Sequence, residues 1–286
     1  MRIKVNEIRL FFDVEGPELV PEGTHMLKKQ TLILLHGGPG YDHSSFKPLF
    51  SELSSLAQII YYDHRGNGRS DLGPTDKWCL RQWAEDLREF CDVLGIEKPI
   101  IFGQSFGGFV AMEYATRFPD HLSKLILSST HARIQIDRIL TTFHRLGGQA
   151  AQGAAWAFLE TPSEETLATY KKICMPKYNP TPQDPNIAVR TLLNDKLLLA
   201  FTAGEWRHFN FLPALPSIKV PTLVIAGEED PITPISDAED IVNALPRNLV
   251  EFVRFSRCGH GVFRDKPKEC LDVLRDFIQR ENSMLV

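Results

Sequence analysis

The stretch KPIIFGQSFGGFVAMEYA, residues 98–115, decides the fold. Ile100, Ile101 and Phe102 form a short β-branched and aromatic run that reads as a buried strand. Gly103-Gln104-Ser105-Phe106-Gly107 follows, and a helical apolar spacing through Phe109, Met112 and Ala115 begins at once. A bare G-x-S-x-G occurs by chance in many proteins; a strand before it and a helix after it make it a nucleophile elbow. The apex serine must then take strained backbone angles, while small residues at 103 and 107 let neighbouring chain pass close by. The helix start aims free N–H groups at the point where negative charge develops in acyl transfer. Ser105 is the candidate nucleophile; the bland alternative is a Gly-rich turn with an idle serine.

Working outward, residues 30–35 are a nearly all-apolar run, as expected of a strand covered by helices on both faces. They end in the stiff turn His36-Gly37-Gly38-Pro39-Gly40. Residues 58–62 read as another strand, leading into Asp63-His64-Arg65-Gly66-Asn67-Gly68-Arg69-Ser70. Residues 80–94 carry an apolar helical stripe capped by Gly95. At the start, residues 3–5 and 8–14 alternate as antiparallel edge strands, residues 16–29 read as turn or loop, and residues 44–56 as a helix. A further buried strand is expected at 125–129.

The pattern changes at His131. Residues 131–212 hold helical patches at 134–146, 149–159, 164–173 and 187–203, around prolines 176, 180, 182 and 185 that forbid a regular element. Strand patterning returns at 219–226 and 249–255, with helices at 236–244 and 268–280. The expectation is an α/β protein with a mostly parallel central sheet of about eight strands. Residues 1–130 and 213–286 form the core domain, and residues 131–212 a helical cap.

Composition bounds the function. A chain of 286 residues with 43% hydrophobic content can bury a sizeable core, and a formal net charge of -4 without a basic tail argues against a nucleic-acid partner. The five cysteines, at 79, 91, 174, 258 and 270, are odd in number and form no C-x-x-C pair, so neither a disulfide scaffold nor a thiolate metal site is expected. The first residues are charged throughout, so no signal peptide, no membrane span and a cytoplasmic location are expected. Neither a metal nor an organic cofactor is expected; Gly66-Asn67-Gly68 lacks the spacing of a dinucleotide loop. The partner is a small molecule or short peptide, and nothing fixes the oligomeric state.

Two late strands deliver the nucleophile's partners. The first feeds Gly227-Glu228-Glu229-Asp230-Pro231 and the second Cys258-Gly259-His260-Gly261. Open α/β sheets gather working residues at such carboxyl ends. His260 has the proton affinity of a general base. An acid must orient it, and Asp230, at the turn before Pro231, is preferred over Glu228 and Glu229. Their bland readings are a turn aspartate and a loop histidine. The N–H groups of Gly38 and Phe106 are candidate oxyanion donors, and His36 is a structural hydrogen-bonder beneath that turn.

On these motifs the chain resembles the α/β-hydrolase superfamily over nearly its whole length, and more narrowly the proline iminopeptidase family of serine aminopeptidases. Residues 36–40, 63–70 and 103–108 carry the likeness, with His64 where the family has Gln and Phe106 where it has Trp. The resemblance implies an acyl-enzyme hydrolase of amide or ester bonds that releases an N-terminal residue. It also implies a cap glutamate that grips the substrate amine, here Glu205, with Trp206 and Phe209 lining an apolar pocket. No second such glutamate aligns. A carboxylesterase, lactonase or small-molecule amidase of the same fold stays open, as does a ligand receptor on a hydrolase scaffold.

Overall fold

In the computed structural model, which describes residues 1–182 and 184–280, an antiparallel pair opens the chain. It comprises β1 (Arg2–Val5) and β2 (Ile8–Glu15), and an outlying hairpin of β3 (Leu19–Glu22) and β4 (His25–Lys28) follows. That hairpin replaces the loop expected at 16–29, because Gly23, at φ 59, lets the chain reverse tightly between two short strands.

The core then alternates as read from the sequence: β5 (Gln30–Leu35), β6 (Ala57–Tyr62), α1 (Leu80–Leu94), β7 (Ile100–Gln104), α2 (Phe106–Arg117) and β8 (Lys124–Ser128). The helix expected at 44–56 is instead two 3₁₀ turns, His43–Phe46 and Leu49–Leu53, interrupted where Pro48 has no N–H to give. α3 (Ile136–Glu160), α4 (Glu164–Ile173), α5 (Pro185–Arg190) and α6 (Asp195–Ala203) come next. β9 (Thr222–Gly227), α7 (Ile235–Ala244), β10 (Val250–Phe255), the short α8 (Val262–Asp265) and α9 (Pro267–Gln279) complete the core.

The eight-stranded sheet has the order β1-β2-β6-β5-β7-β8-β9-β10 and is parallel from β6 to β10. Its faces are filled by alternate residues. Ile33, Leu35 and Ile101 join the apolar cluster under α1 and α2, while Leu32, Leu34, Ile100 and Phe102 join the one under α9. None of the described residues between β8 and β9 adds a strand to this sheet. Helices α3–α6 among them form a cap whose Tyr178 and Asn194 bond the loops that follow β5, β6 and β10. The single helix expected at 187–203 is broken, because Asn194 stops the chain to cap α6, its side chain accepting from the N–H of Leu197 at 3.2 Å. Among the described residues no helix is long and apolar enough to cross a membrane.

Candidate active site

Ser105 sits between β7 and α2 with φ 53 and ψ -117, a conformation costly for a side-chain-bearing residue. Three bonds hold it there. Its N–H donates to the Ser128 carbonyl (2.9 Å), and its own carbonyl accepts from Gly108 N–H and the Thr130 hydroxyl (both 2.8 Å). The crossing is possible because 103 and 107 are glycine: a Cβ on Gly103 would lie 2.5 Å from the Gly107 carbonyl, and one on Gly107 would strike the Leu35 carbonyl.

His260 and Asp230 converge on this serine. The Ser105 hydroxyl lies 2.9 Å from His260 Nε2, and His260 Nδ1 lies 2.8 Å from Asp230 Oδ2. Asp230 is fully buried and fully satisfied: Oδ1 accepts from the N–H groups of Ile232 and Thr233 (2.9 Å each), and Oδ2 also accepts from the Thr233 hydroxyl (2.6 Å). Glu228 instead faces outward toward Arg254 at 3.4 Å, so of the three carboxylates Asp230 is the one that meets the imidazole. The His260 carbonyl accepts from Gln104 (2.8 Å), and its N–H donates to the carbonyl of Tyr178 in the proline-rich cap stretch (2.7 Å). The Tyr178 ring meets the imidazole edge-on at 5.1 Å.

The turn at 36–40 lies against the nucleophile, since a Cβ on Gly37 would be 3.4 Å from that of Ser105. Phe106 opens α2, so its N–H has no acceptor within the helix. His36 is wholly buried. Its Nδ1 lies 2.7 Å from the Gly37 carbonyl and its Nε2 accepts from the N–H of His64 (3.3 Å), which fixes the proton on Nδ1. Burial pushes its pKa down, as befits a neutral structural group. The loop at 63–70 is scaffolding for the same turn: Asn67 Oδ1 accepts from Gly40 N–H (2.6 Å), and buried Asp86 holds Arg65 through two 2.7 Å contacts. From the cap, Asn194 N–H donates to the Gly40 carbonyl and its side chain to the Gly66 carbonyl (2.8 Å each).

Of the cap residues expected near the substrate, Trp206 and Phe209 pack 6.0 and 5.7 Å from the ring of His131, with Phe209 4.8 Å from Phe109 of α2. Glu205 has a partner on α1. Its carboxylate accepts the N–H of Leu80 (2.8 Å) at the first turn of α1, where the helix start favours negative charge. Burial raises its pKa, opposed by that N–H. Sequence reasoning passed over His131, Asp237, Tyr178 and Asn194. His131 was within reach of the rule that found His260, since it too lies just past a buried strand.

This arrangement sets an imidazole on a hydroxyl and a buried carboxylate on the imidazole. The family model for the alpha/beta hydrolase fold matches residues 30–267. A proline iminopeptidase of Lactobacillus delbrueckii subsp. bulgaricus is 28% identical over 271 residues, spanning 86% of this chain and 89% of its own. Among solved structures, a proline iminopeptidase of Mycobacterium smegmatis superposes with a TM-score of 0.76 at 24% identity, over 97% of both chains. A thermophilic esterase from Thermogutta terrifontis does so with 0.70 at 23%, over 99% of this chain and 100% of its own. Elbow, sheet order, cap and family match together establish that this chain belongs to the α/β-hydrolase fold family.

Proposed function

We propose that the protein is a serine hydrolase that cleaves an amide or ester through an acyl-enzyme on Ser105, and that it acts as an aminopeptidase releasing an N-terminal residue. The observation that carries the chemistry is the chain Ser105 Oγ, His260 Nε2, His260 Nδ1, Asp230 Oδ2, at 2.9 and 2.8 Å. His260 takes the serine proton as Oγ attacks the carbonyl carbon, and Asp230 stabilises the imidazolium that forms. The N–H groups of Phe106 and Gly38 receive the oxyanion. His260 returns the proton to the leaving group, then activates water to free the enzyme. Likeness to the Lactobacillus proline iminopeptidase supports the aminopeptidase reading.

One observation favours a second reading, an esterase or lactonase: one oxygen of the Glu205 carboxylate already accepts the Leu80 N–H, so the carboxylate that the aminopeptidase reading gives to the substrate amine is shared with α1. Turnover of a prolyl arylamide, its N-acetyl form, other aminoacyl arylamides, p-nitrophenyl esters and an acyl lactone separates the two. Cleavage of the free-amine prolyl substrate, abolished by acetylation, supports the aminopeptidase. Activity confined to esters or lactones, or indifferent to acetylation, supports the second reading. An active-site serine that no acyl probe labels would leave only the ligand-receptor alternative.

A further inference from the structure

His131 follows Thr130, the residue whose hydroxyl is bonded to the Ser105 carbonyl. Its ring lies flat on Phe109, at 4.6 Å and 16°, inside the aromatic wall completed by Trp206 and Phe209. It is 1% exposed, and neither ring nitrogen has a hydrogen-bond partner among the described residues. Across from it stands Asp237 of α7, 2% exposed. Asp237 Oδ1 accepts from Arg138 (2.6 Å), whereas Oδ2 has no hydrogen-bond partner and faces His131 Nδ1 at 4.0 Å. Arg138 also holds Asp240 at 2.8 Å, so the guanidinium is shared.

Burial, with a smaller contribution from neighbouring His260, drives the pKa of His131 down to about 3, so its ring is neutral. A neutral imidazole has one N–H and one bare nitrogen. With the proton on Nδ1, Nε2 is a buried acceptor without a donor. With it on Nε2, Nδ1 and Asp237 Oδ2 become two such acceptors side by side. In either tautomer one ring nitrogen is a buried acceptor without a donor, and leaving a buried acceptor unmet is costly; in the second tautomer the Nε2–H lacks an acceptor as well. An atom placed 2.8 Å from Nδ1 and Oδ2 can serve both across a gap of 4.0 Å, at an angle of roughly a right angle.

We propose that His131, with Asp237 Oδ2, receives a hydrogen-bond donor of the substrate close to its scissile carbonyl, an amino or hydroxyl group, and selects substrates that carry one. The proposal rests on the acyl-transfer reading of Ser105 but holds for either a peptidase or an esterase. A site built to bond an OH or NH rejects the analogue lacking it far more strongly than an apolar pocket rejects a missing methylene.

The test is a ratio within each enzyme preparation, so a reduced folded fraction cancels. Four esters of one size are compared by kcat/KM: 2-aminoacyl, 2-hydroxyacyl, unsubstituted acyl with a hydroxyl on the leaving alcohol, and a donor-free ester. The wild type is expected to favour at least one donor-bearing ester about tenfold or more over the donor-free one. The arm that wins says whether the donor sits on the acyl or the leaving side. His131→Leu should collapse that preference to within about threefold, and His131→Asn, which keeps an acceptor, should retain part of it. Asp237→Asn should weaken preference for the ammonium more than for a hydroxyl. No preference in the wild type, or one that survives both His131→Leu and Asp237→Asn, overturns the proposal. Failure of Ser105 to label with a fluorophosphonate overturns the acyl-transfer reading instead, so the two failures are distinct.

Discussion

Replacing Glu205 by Ala should lower stability and leave amine recognition intact. The carboxylate accepts the Leu80 N–H at 2.8 Å, at the start of a 15-residue helix whose first turn has no acidic residue of its own. A lost N-terminal cap costs about 1 kcal/mol, and a negative charge at a helix start adds about 0.3–1 kcal/mol. Opposing this, burial raises the Glu205 pKa, so part of the charge term is already offset. The net expectation is about 1 kcal/mol, or about 2–4 °C in Tm for a chain of this size. Glu205→Gln keeps an acceptor oxygen and should lose roughly half as much. Scanning calorimetry measures the loss, and kcat/KM on a free-amine arylamide, corrected for folded fraction, should move by less than about twofold. An unchanged Tm with a tenfold or greater fall in kcat/KM for the free-amine substrate alone would refute this reasoning and return Glu205 to the substrate.

Three further outcomes are expected. Ser105→Gly should abolish turnover yet raise stability by about 1–2 kcal/mol in urea titration, because glycine tolerates φ 53 and ψ -117; a destabilised variant would mean the turn is not strained. Asn194→Ala should lose about 1–2 kcal/mol, since the side chain both caps α6 and bonds the Gly66 carbonyl; it should also raise KM by loosening the cap beside Gly40. Asp237 has its carboxyl raised from 3.8 to about 6, chiefly by burial and against the pull of Arg138. The folded state therefore holds this proton more tightly than the unfolded one, so its stabilising effect is full below pH 3.8 and is lost as pH rises through about 6. Asp237→Asn should flatten stability against pH in that window by about 3 kcal/mol, and an unchanged slope would contradict the raised carboxyl pKa.

Much of this molecule was readable from residue order. The elbow, the buried strands and the two loops carrying Asp230 and His260 follow from alternation and from the carboxyl-edge rule, which is local information. Helix α1 matched its apolar stripe because one face meets the sheet and Gly95 ends it at φ 65. Long-range commitments were not readable. Glu205 is separated from Leu80 by 125 residues, and spacing within the cap cannot reveal that the two meet. His131 and Asp237 look like an ordinary loop histidine and helix acid until burial leaves both ring nitrogens and Asp237 Oδ2 without partners. Pro48 is visible in the sequence, but apolar spacing at 44–56 does not show that its missing N–H outweighs helix formation there.

The proposed chemistry depends on nucleophilic attack by Ser105 to form an acyl-enzyme. Intact-protein and peptide mass spectrometry after fluorophosphonate treatment tests it directly. Stoichiometric labelling is expected at Ser105, with parallel loss of turnover, and about 10²–10⁴-fold slower labelling in His260→Ala, which lacks the base 2.9 Å from the hydroxyl. Labelling at another residue, or full activity remaining once Ser105 is labelled, would contradict it.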